Sequence, residues 1–466
     1  MKNNSELSSL LSPCSVAVIG ATNKPGRVGR IIFERLRPSG LPVYPVNPGE
    51  TEVLGVTTFP DPASLPENVD LAVVALGAGR AVKAVEQCAM AGIPQIIVVA
   101  GGFGESGTEG EILEKRLKAV PQKYKSRILG PNTLGIFLPH KKLNTIFVEH
   151  GDKALANGGG VAFISQSGSV GVEALGLASN TGFGMRAFIG LGNKCDLDEI
   201  DFLQYFTKDK KTTCLAFYVE SFENGRRFLE AAKKASVQKP VVVLKAGRSK
   251  TGASAVSSHT GRMAGSDKVV GGAFRQFGIQ RVFDDEELCD ASKTLALLPL
   301  PLGNRIAIIT PAGGYGVMGA DHVELQTTQA RLEMAKLSKA TENRIQAATF
   351  SFASCQNPVD LTASANDLMI GHTLDALIDD GNVDIIICIA FFAPPSITDI
   401  MIDEISNRVK RSLKPIIVFT QYGPYTDDYL RKFHSKGVIG FPSISRAVRA
   451  ARFLVERADI LRSLKR

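Results

Sequence analysis

The run Val16-Ala17-Val18-Ile19-Gly20-Ala21-Thr22-Asn23-Lys24-Pro25-Gly26-Arg27-Val28-Gly29 reads as strand, turn and helix start, in that order. The apolar tetrad fits a fully buried strand, and a helical pattern follows from Val28 to Leu36. Glycines in such a turn let the backbone approach a pyrophosphate, and the helix N-terminus favours the anion's charge. The spacing is looser than G-x-G-x-x-G, so the turn alone does not name a ligand. The next strand, Val43–Val46, ends in Asn47-Pro48. A nicotinamide-binding domain carries an acid there for the ribose hydroxyls, so this position disfavours NAD. Arg27 and Arg30 could meet further phosphate or be solvated.

Outward from that turn the same alternation repeats along the chain. Strands are expected at Leu71–Ala75, Ile96–Val99 and Arg127–Leu129, with helices at Gly79–Ala91 and Gly107–Ala119. A Gly-rich break at Asn157–Gly160 precedes strands Val161–Ile164, Arg186–Ile189, Cys214–Val219 and Val241–Leu244. A second break, Pro299–Gly303, precedes strands Ile306–Thr310, Ile385–Ile389, Ile416–Phe419 and Val438–Ile439. Strands alternating with helices predict parallel sheets covered on both faces. The expected fold class is α/β, three doubly wound units in series, spanning 1–150, 151–298 and 304–466.

The 466 residues suit about three domains of ~150 residues. Composition is that of a globular chain, 44% hydrophobic and 21% charged. No apolar run reaches the ~18 residues of a membrane span, and no signal peptide is expected at the N-terminus. The seven cysteines are scattered and never form a CxxC pair, which points to reduced thiols in the cytoplasm and to no metal site. The net charge of +8 lacks the aromatic-interleaved basic clusters of a nucleic-acid binder, and the C-terminal arginines read as a solvated helix face. A modest basic excess suits phosphorylated ligands.

Three further turns could bind anions. Ser165-Gln166-Ser167-Gly168-Ser169 opens a helix and offers backbone N–H groups and hydroxyls, although helix capping alone would explain its serines. Gly190-Leu191-Gly192-Asn193 lies on the same sheet edge, and Gly101-Gly102-Phe103-Gly104-Glu105 follows the fourth strand. Thr310–Gly316 reads as a tight turn with a domain contact.

Gly247–Ser266 is rich in Gly, Ser, Ala and Thr, carries His259, and reads as one long loop. Such a connection is a working loop or a disordered one. Glu220 ends the strand Cys214–Val219 at the edge where the loops gather. Beside an imidazole it would accept one ring N–H and leave the other nitrogen free to attack. An incidental histidine and an exposed turn glutamate are the plainer alternatives.

Side by side, these stretches resemble the NDP-forming acyl-CoA synthetases, most of all an ADP-forming acetate–CoA ligase α subunit, related to the succinyl-CoA synthetase α subunit. The residues that carry the resemblance are Gly20–Gly29, Gly130–Gly135, Ser165–Ser169, Gly190–Asn193, Glu220 and Ser258-His259-Thr260-Gly261. The resemblance implies a Rossmann-like CoA-binding domain followed by two flavodoxin-like domains. It sets Gly20, Thr22, Asn23, Lys24 and Pro25 against CoA, with Asn47, Ala100 and Gly101 nearby. It implies that Ser167, Gly168 and Ser169 hold phosphate, that Asn193 lines the acyl pocket, that His259 carries a phosphoryl group and that Glu220 orients it. Val172 stands where the succinyl enzyme has an aromatic residue, which disfavours a dicarboxylate. No stretch resembles an ATP-grasp module. The resemblance therefore implies a separate ATP-grasp β subunit holding ADP or ATP with Mg2+, in an α2β2 assembly. A CoA-sensing module without chemistry and an NAD oxidoreductase are the competing readings.

Overall fold

The computed structural model describes residues 7–66, 68–149, 159–181, 184–260, 266–325 and 331–464, apart from the side chains of 179–181 and 257–260. The first sheet is parallel throughout, in the order Val43–Val46, Val16–Ile19, Leu71–Val74, Gln95–Val98, Arg127–Leu129. Val16 pairs with Val43 on one side and Leu71 on the other. Strand order therefore reverses between Val16–Ile19 and Leu71–Val74, and a crevice opens beyond their carboxyl ends. Val16–Ile19 and Leu71–Val74 are apolar at every position because helices cover both faces. Val16, Ala17, Val18 and Val73 are fully buried.

The second sheet repeats that order. Met185–Gly190, Val161–Ser165, Cys214–Val219, Val241–Lys245 and Gln280–Val282 run parallel. An antiparallel hairpin, Ile136–Leu138 with Leu143–Asn144, extends it beyond Met185–Gly190. The chain thus enters the second sheet before the glycine break at 157–160. The two sheets meet where Arg127–Gly135 runs beside Gly190–Leu197. There Gly190 N donates to Gly135 O (2.8 Å), Asn193 N to Pro131 O (2.9 Å) and Leu197 N to Ile128 O (3.0 Å). Gly192 must be glycine, since its φ is +59° and a Cβ would lie 2.2 Å from Pro131 O.

The expected long loop from Gly247 to Ser266 is overturned over Lys250–Thr260, and 261–265 lie outside the described residues. Lys250–Thr260 is a helix, and the next helix starts at Asp267. Ser249 caps the first of these, its Oγ accepting from Gly252 N at 3.0 Å. Serine, threonine and glycine are poor helix formers, so composition alone argued for a loop. The helix expected at Gly107–Ala119 spans Thr108–Lys123, past Pro121, because a proline in the last turn removes little of the hydrogen-bond ladder.

The third sheet, again parallel, orders Glu333–Met334, Arg305–Thr310, Ile385–Ile389, Ile416–Phe419 and Gly440–Phe441, with Val359–Asp360 pairing the end of Arg305–Thr310. It adds a helix the sequence did not suggest, Lys339–Ala348, capped by Ser338 Oγ on Thr341 N (3.2 Å). Packing groups the chain through Ser179 with Gly184–Leu288 in one compact unit, and Cys289–Arg466 in the other.

Candidate active site

A cavity of about 830 Å3 fills the crevice of the first sheet. Gly20, Thr22, Lys24 and Asn47 line it. Two helix N-termini, at Val28 and Ala78, open at it without side-chain caps, so their N–H groups are available to an anion. Gly20 has φ +90°, and a Cβ there would lie 2.7 Å from Leu76 Cδ2. At Gly29 a Cβ would lie 2.1 Å from Gly20 O, so the helix can start against the turn only with glycine. Arg27, Arg80 and Lys83 add positive charge around the cavity. A cradle of backbone amides ringed by cations fits the phosphates of CoA. Arg80 and Lys83 lie on a helix the sequence did predict; their place at the crevice depends on strand order, which it does not spell out.

Glu50, unmarked in the sequence, shapes this turn. It accepts from Thr22 Oγ1 (2.6 Å), Asn23 N (3.3 Å) and Asn23 Nδ2 (3.1 Å). The Thr22 hydroxyl and then the Asn23 amide hold its carboxyl below the ordinary carboxylate value. Asn23 also grips the small hairpin Glu52–Val53/Val56–Thr57 through Glu52 O (2.7 Å) and Leu54 N (3.0 Å). Asn47 donates to Ala21 O (2.7 Å) and accepts from Gly49 N (2.9 Å). Thr22, Asn23 and Asn47 are thus tied by the fold. Pro25 is exposed in the same turn. Ala100 and Gly101 lie on the next loop, where Ala100 O accepts from Asn132 N (2.8 Å).

That loop meets the second sheet through Asn193. Its amide donates to Glu105 Oε2 (2.5 Å) and Glu114 Oε2 (3.0 Å). Glu105 Oε1 in turn accepts from Gly102 N (2.6 Å) and Phe103 N (3.2 Å). Burial alone would push the Glu105 carboxyl up; the hydrogen bonds from Asn193 and the backbone outweigh it and hold it below its ordinary value. The helix Lys250–Thr260 packs near the turn Gly104–Ser106. It contains the backbone of His259, whose side chain lies outside the described residues.

Ser167, Gly168 and Ser169 stand at the start of the helix Gly168–Thr181, with the two hydroxyls 3.1 Å apart. Between them and the strand lies Gln166, buried. Its Oε1 accepts from Glu220 N (2.9 Å) and Ser221 N (3.1 Å), and its Nε2 donates to Ser221 Oγ (3.3 Å). Parallel pairing of Ser165 with Tyr218 brings the two strand ends level, which places Gln166 beside Glu220. Lys194 Nζ donates to Ser221 O (2.6 Å) and to Glu199 Oε2 (3.1 Å) in a fully buried pair. Tyr218 OH donates to Glu220 Oε1 at 3.5 Å, and burial, with the Glu220 charge, pushes its pKa up to about 12. The turns Ser165–Ser169, Gly190–Lys194 and Glu220–Ser221 therefore form one connected edge.

In the third sheet the Thr310 hydroxyl closes a tight turn, accepting from Ala312 N and donating to Ala312 O, both at 2.8 Å. Among the described residues no group of three or more His, Cys, Asp or Glu could hold a metal ion. No described helix is long and apolar enough to cross a membrane.

Residues 14–139 match the family described as CoA binding domain, and residues 158–295 match the succinyl-CoA ligase like flavodoxin domain. Fold and site together define a subunit of a CoA ligase. The chain is 34% identical over 454 residues to the acetate–CoA ligase (ADP-forming) II subunit alpha of Pyrococcus furiosus, covering 96% of this chain and 97% of that one. It is 36% identical over 443 residues to acetate–CoA ligase (ADP-forming) I of Archaeoglobus fulgidus, covering 95% of this chain and 62% of that one. A solved structure, the dinucleotide forming acetyl-coenzyme A synthetase 1 of Ca. Korarchaeum cryptofilum in complex with phosphate and ADP, matches with a TM-score of 0.89 at 31% identity, over 98% of both chains. This chain belongs to the family of ADP-forming acetate–CoA ligase α subunits.

Proposed function

We propose that the chain interconverts acyl-CoA, ADP and phosphate with carboxylic acid, CoA and ATP, through an acyl phosphate and a phosphohistidine at His259. The observation that carries this reading is the Gln166 clamp, which joins the Ser167–Ser169 turn to Glu220 in one rigid edge. CoA lies in the Gly20 cavity, its phosphates on the two helix N-termini and on Lys24, Arg27, Arg80 and Lys83. Asn23, Pro25, Asn47, Ala100 and Gly101 frame it.

Phosphate, held by Ser167, Gly168 and Ser169, attacks the thioester carbonyl; the C–S bond breaks and CoA leaves as thiolate. Asn193 borders the acyl group. An imidazole nitrogen of His259 then attacks phosphorus, and the bond to the acyl oxygen breaks, releasing the carboxylate. Glu220 holds the proton on the other ring nitrogen and offsets the positive charge that develops there. Last, a terminal oxygen of ADP attacks phosphorus and the N–P bond breaks. The His259 helix must move between these stations.

The nucleotide, with Mg2+, belongs to a separate ATP-grasp β subunit in a cytoplasmic α2β2 enzyme. The support for a two-chain enzyme is the name of the Pyrococcus relative, a subunit alpha, which this chain matches over 97% of its length; the Archaeoglobus relative is matched over 62% of its length. The test is ATP formation from acetyl-CoA, ADP and phosphate. Activity that needs both chains and disappears with His259→Ala supports the proposal. CoA binding with no ATP formed by the assembled pair, across a panel of acyl-CoAs, would leave only the CoA-sensing reading.

A further inference from the structure

A second cavity, about 760 Å3, opens at the carboxyl edge of the second sheet, beside Tyr218 and Lys245. Lys245 ends the strand Val241–Lys245, pairs with Val219, and is only 7% exposed. Its Nζ donates to Ala246 O at 2.6 Å and has no other hydrogen-bond partner among the described residues. An ammonium has three N–H donors, so Lys245 brings unused donors and a buried positive charge to the cavity. Arg248, at the same cavity, is already engaged: it lies 3.7 Å from Asp267 and covers the Phe283 ring at 4.2 Å. Asp267 is further neutralised by Arg281. Residues 247–249, which lead into the His259 helix, form part of the wall.

The electrostatics of a phosphoryl carrier require such a group. A phosphoryl group brought up to Glu220 meets a carboxylate of its own sign, in a site where low dielectric strengthens the repulsion. A cation next to that carboxylate removes the penalty and stabilises the charge on the transferring oxygens. Lys245 pairs with Val219, the residue before Glu220, and Ala246 N donates to Val219 O (3.0 Å), so the two strand ends lie level. Burial pushes the Lys245 amine down, and the Glu220 charge opposes that effect.

We infer that Lys245 is a further phosphoryl-binding residue, its ammonium receiving the phosphoryl anion that passes from an acyl phosphate to the imidazole. The inference rests on the proposed phosphohistidine reading and adds a residue to it. In the step, the P–O bond to the acyl group breaks, the N–P bond forms, the carboxylate departs with the electron pair, and Lys245 keeps its proton throughout.

The test is single-turnover phosphorylation of the full chain, assembled with its partner subunit, by acetyl phosphate. Samples are quenched at alkaline pH and His259 phosphate is read by peptide mass. In Lys245→Met the rate should fall about 100-fold, the scale of losing one strong donor to a transferring oxyanion. Lys245→Arg, which keeps the charge, should recover to within about tenfold of wild type. Urea midpoints report folding, and Lys245→Gln replaces the methionine variant if that one unfolds. Label in the wild type with an unchanged rate in a folded Met or Gln variant overturns the role of Lys245 alone. A wild type that takes no label at His259 overturns the carrier reading, and this inference with it.

Discussion

Lys194→Met should destabilise the unit formed by the first two sheets more than most single substitutions. Lys194 and Glu199 are fully buried and 3.1 Å apart, and Glu199 Oε1 also accepts from Glu223 N (3.3 Å). Removing the amine leaves a carboxylate stranded in low dielectric, at a cost of about 3–5 kcal/mol. With a urea m value of about 3 kcal/mol/M, the midpoint should drop by roughly 1–1.7 M. The double variant Lys194→Met/Glu199→Gln removes both charges and should recover most of that loss, keeping a deficit of about 1 kcal/mol for the missing bond to Ser221 O. The two equilibrium unfolding curves, followed by circular dichroism, decide the matter. A single variant within 1 kcal/mol of wild type would refute the claim that this pair holds the edge, as would a double variant no more stable than the single.

Other outcomes follow from the same geometry. Gly29→Ala should abolish CoA binding, because its Cβ would sit 2.1 Å from Gly20 O and force the turn apart; calorimetry with CoA measures it. Arg80→Ala or Lys83→Ala should each weaken CoA about three- to tenfold with no change in the urea midpoint, and high salt should shrink the difference. Gln166→Leu should slow His259 phosphorylation more than it lowers stability, since it frees Glu220 N and Ser221 N together; unchanged rates would argue against the clamp. Glu105 has a depressed carboxyl, so its hold on the Gly102–Phe103 backbone is fully present above the ordinary value of 4.5 and is lost as pH falls through the lower folded value. Amide exchange at Gly102 and Phe103, corrected for intrinsic rates, should speed up only on that acid side, and in Asn193→Ala the change should move to higher pH.

Much of this architecture was legible because buried parallel strands are written as short apolar runs. Val16–Ile19, Val43–Val46 and Arg127–Leu129 fall where the sequence placed them. The hairpin Ile136–Leu138/Leu143–Asn144 did not, since no α-helix separates its strands from each other or from Arg127–Leu129, and the strand–helix alternation that marked the others is missing there. The helix Lys250–Thr260 was hidden by its composition. At the site, glycines that need positive φ or close approach, such as Gly20 and Gly192, were visible as motif letters. Glu50, Arg80 and Lys83 were not, because their part depends on which strand ends lie side by side. Gln166 stood in view within the Ser-rich turn, but only the pairing of Ser165 with Tyr218 reveals what it holds.

The measurement that bears most directly on the central claim is intact-mass and peptide mapping of the assembled enzyme after incubation with acetyl-CoA and phosphate at alkaline pH. The account predicts an acid-labile, base-stable phosphoryl adduct on His259 that is absent from His259→Ala and is discharged when ADP is added. An enzyme that makes ATP while His259 carries no adduct, or an adduct that persists in His259→Ala, would contradict it.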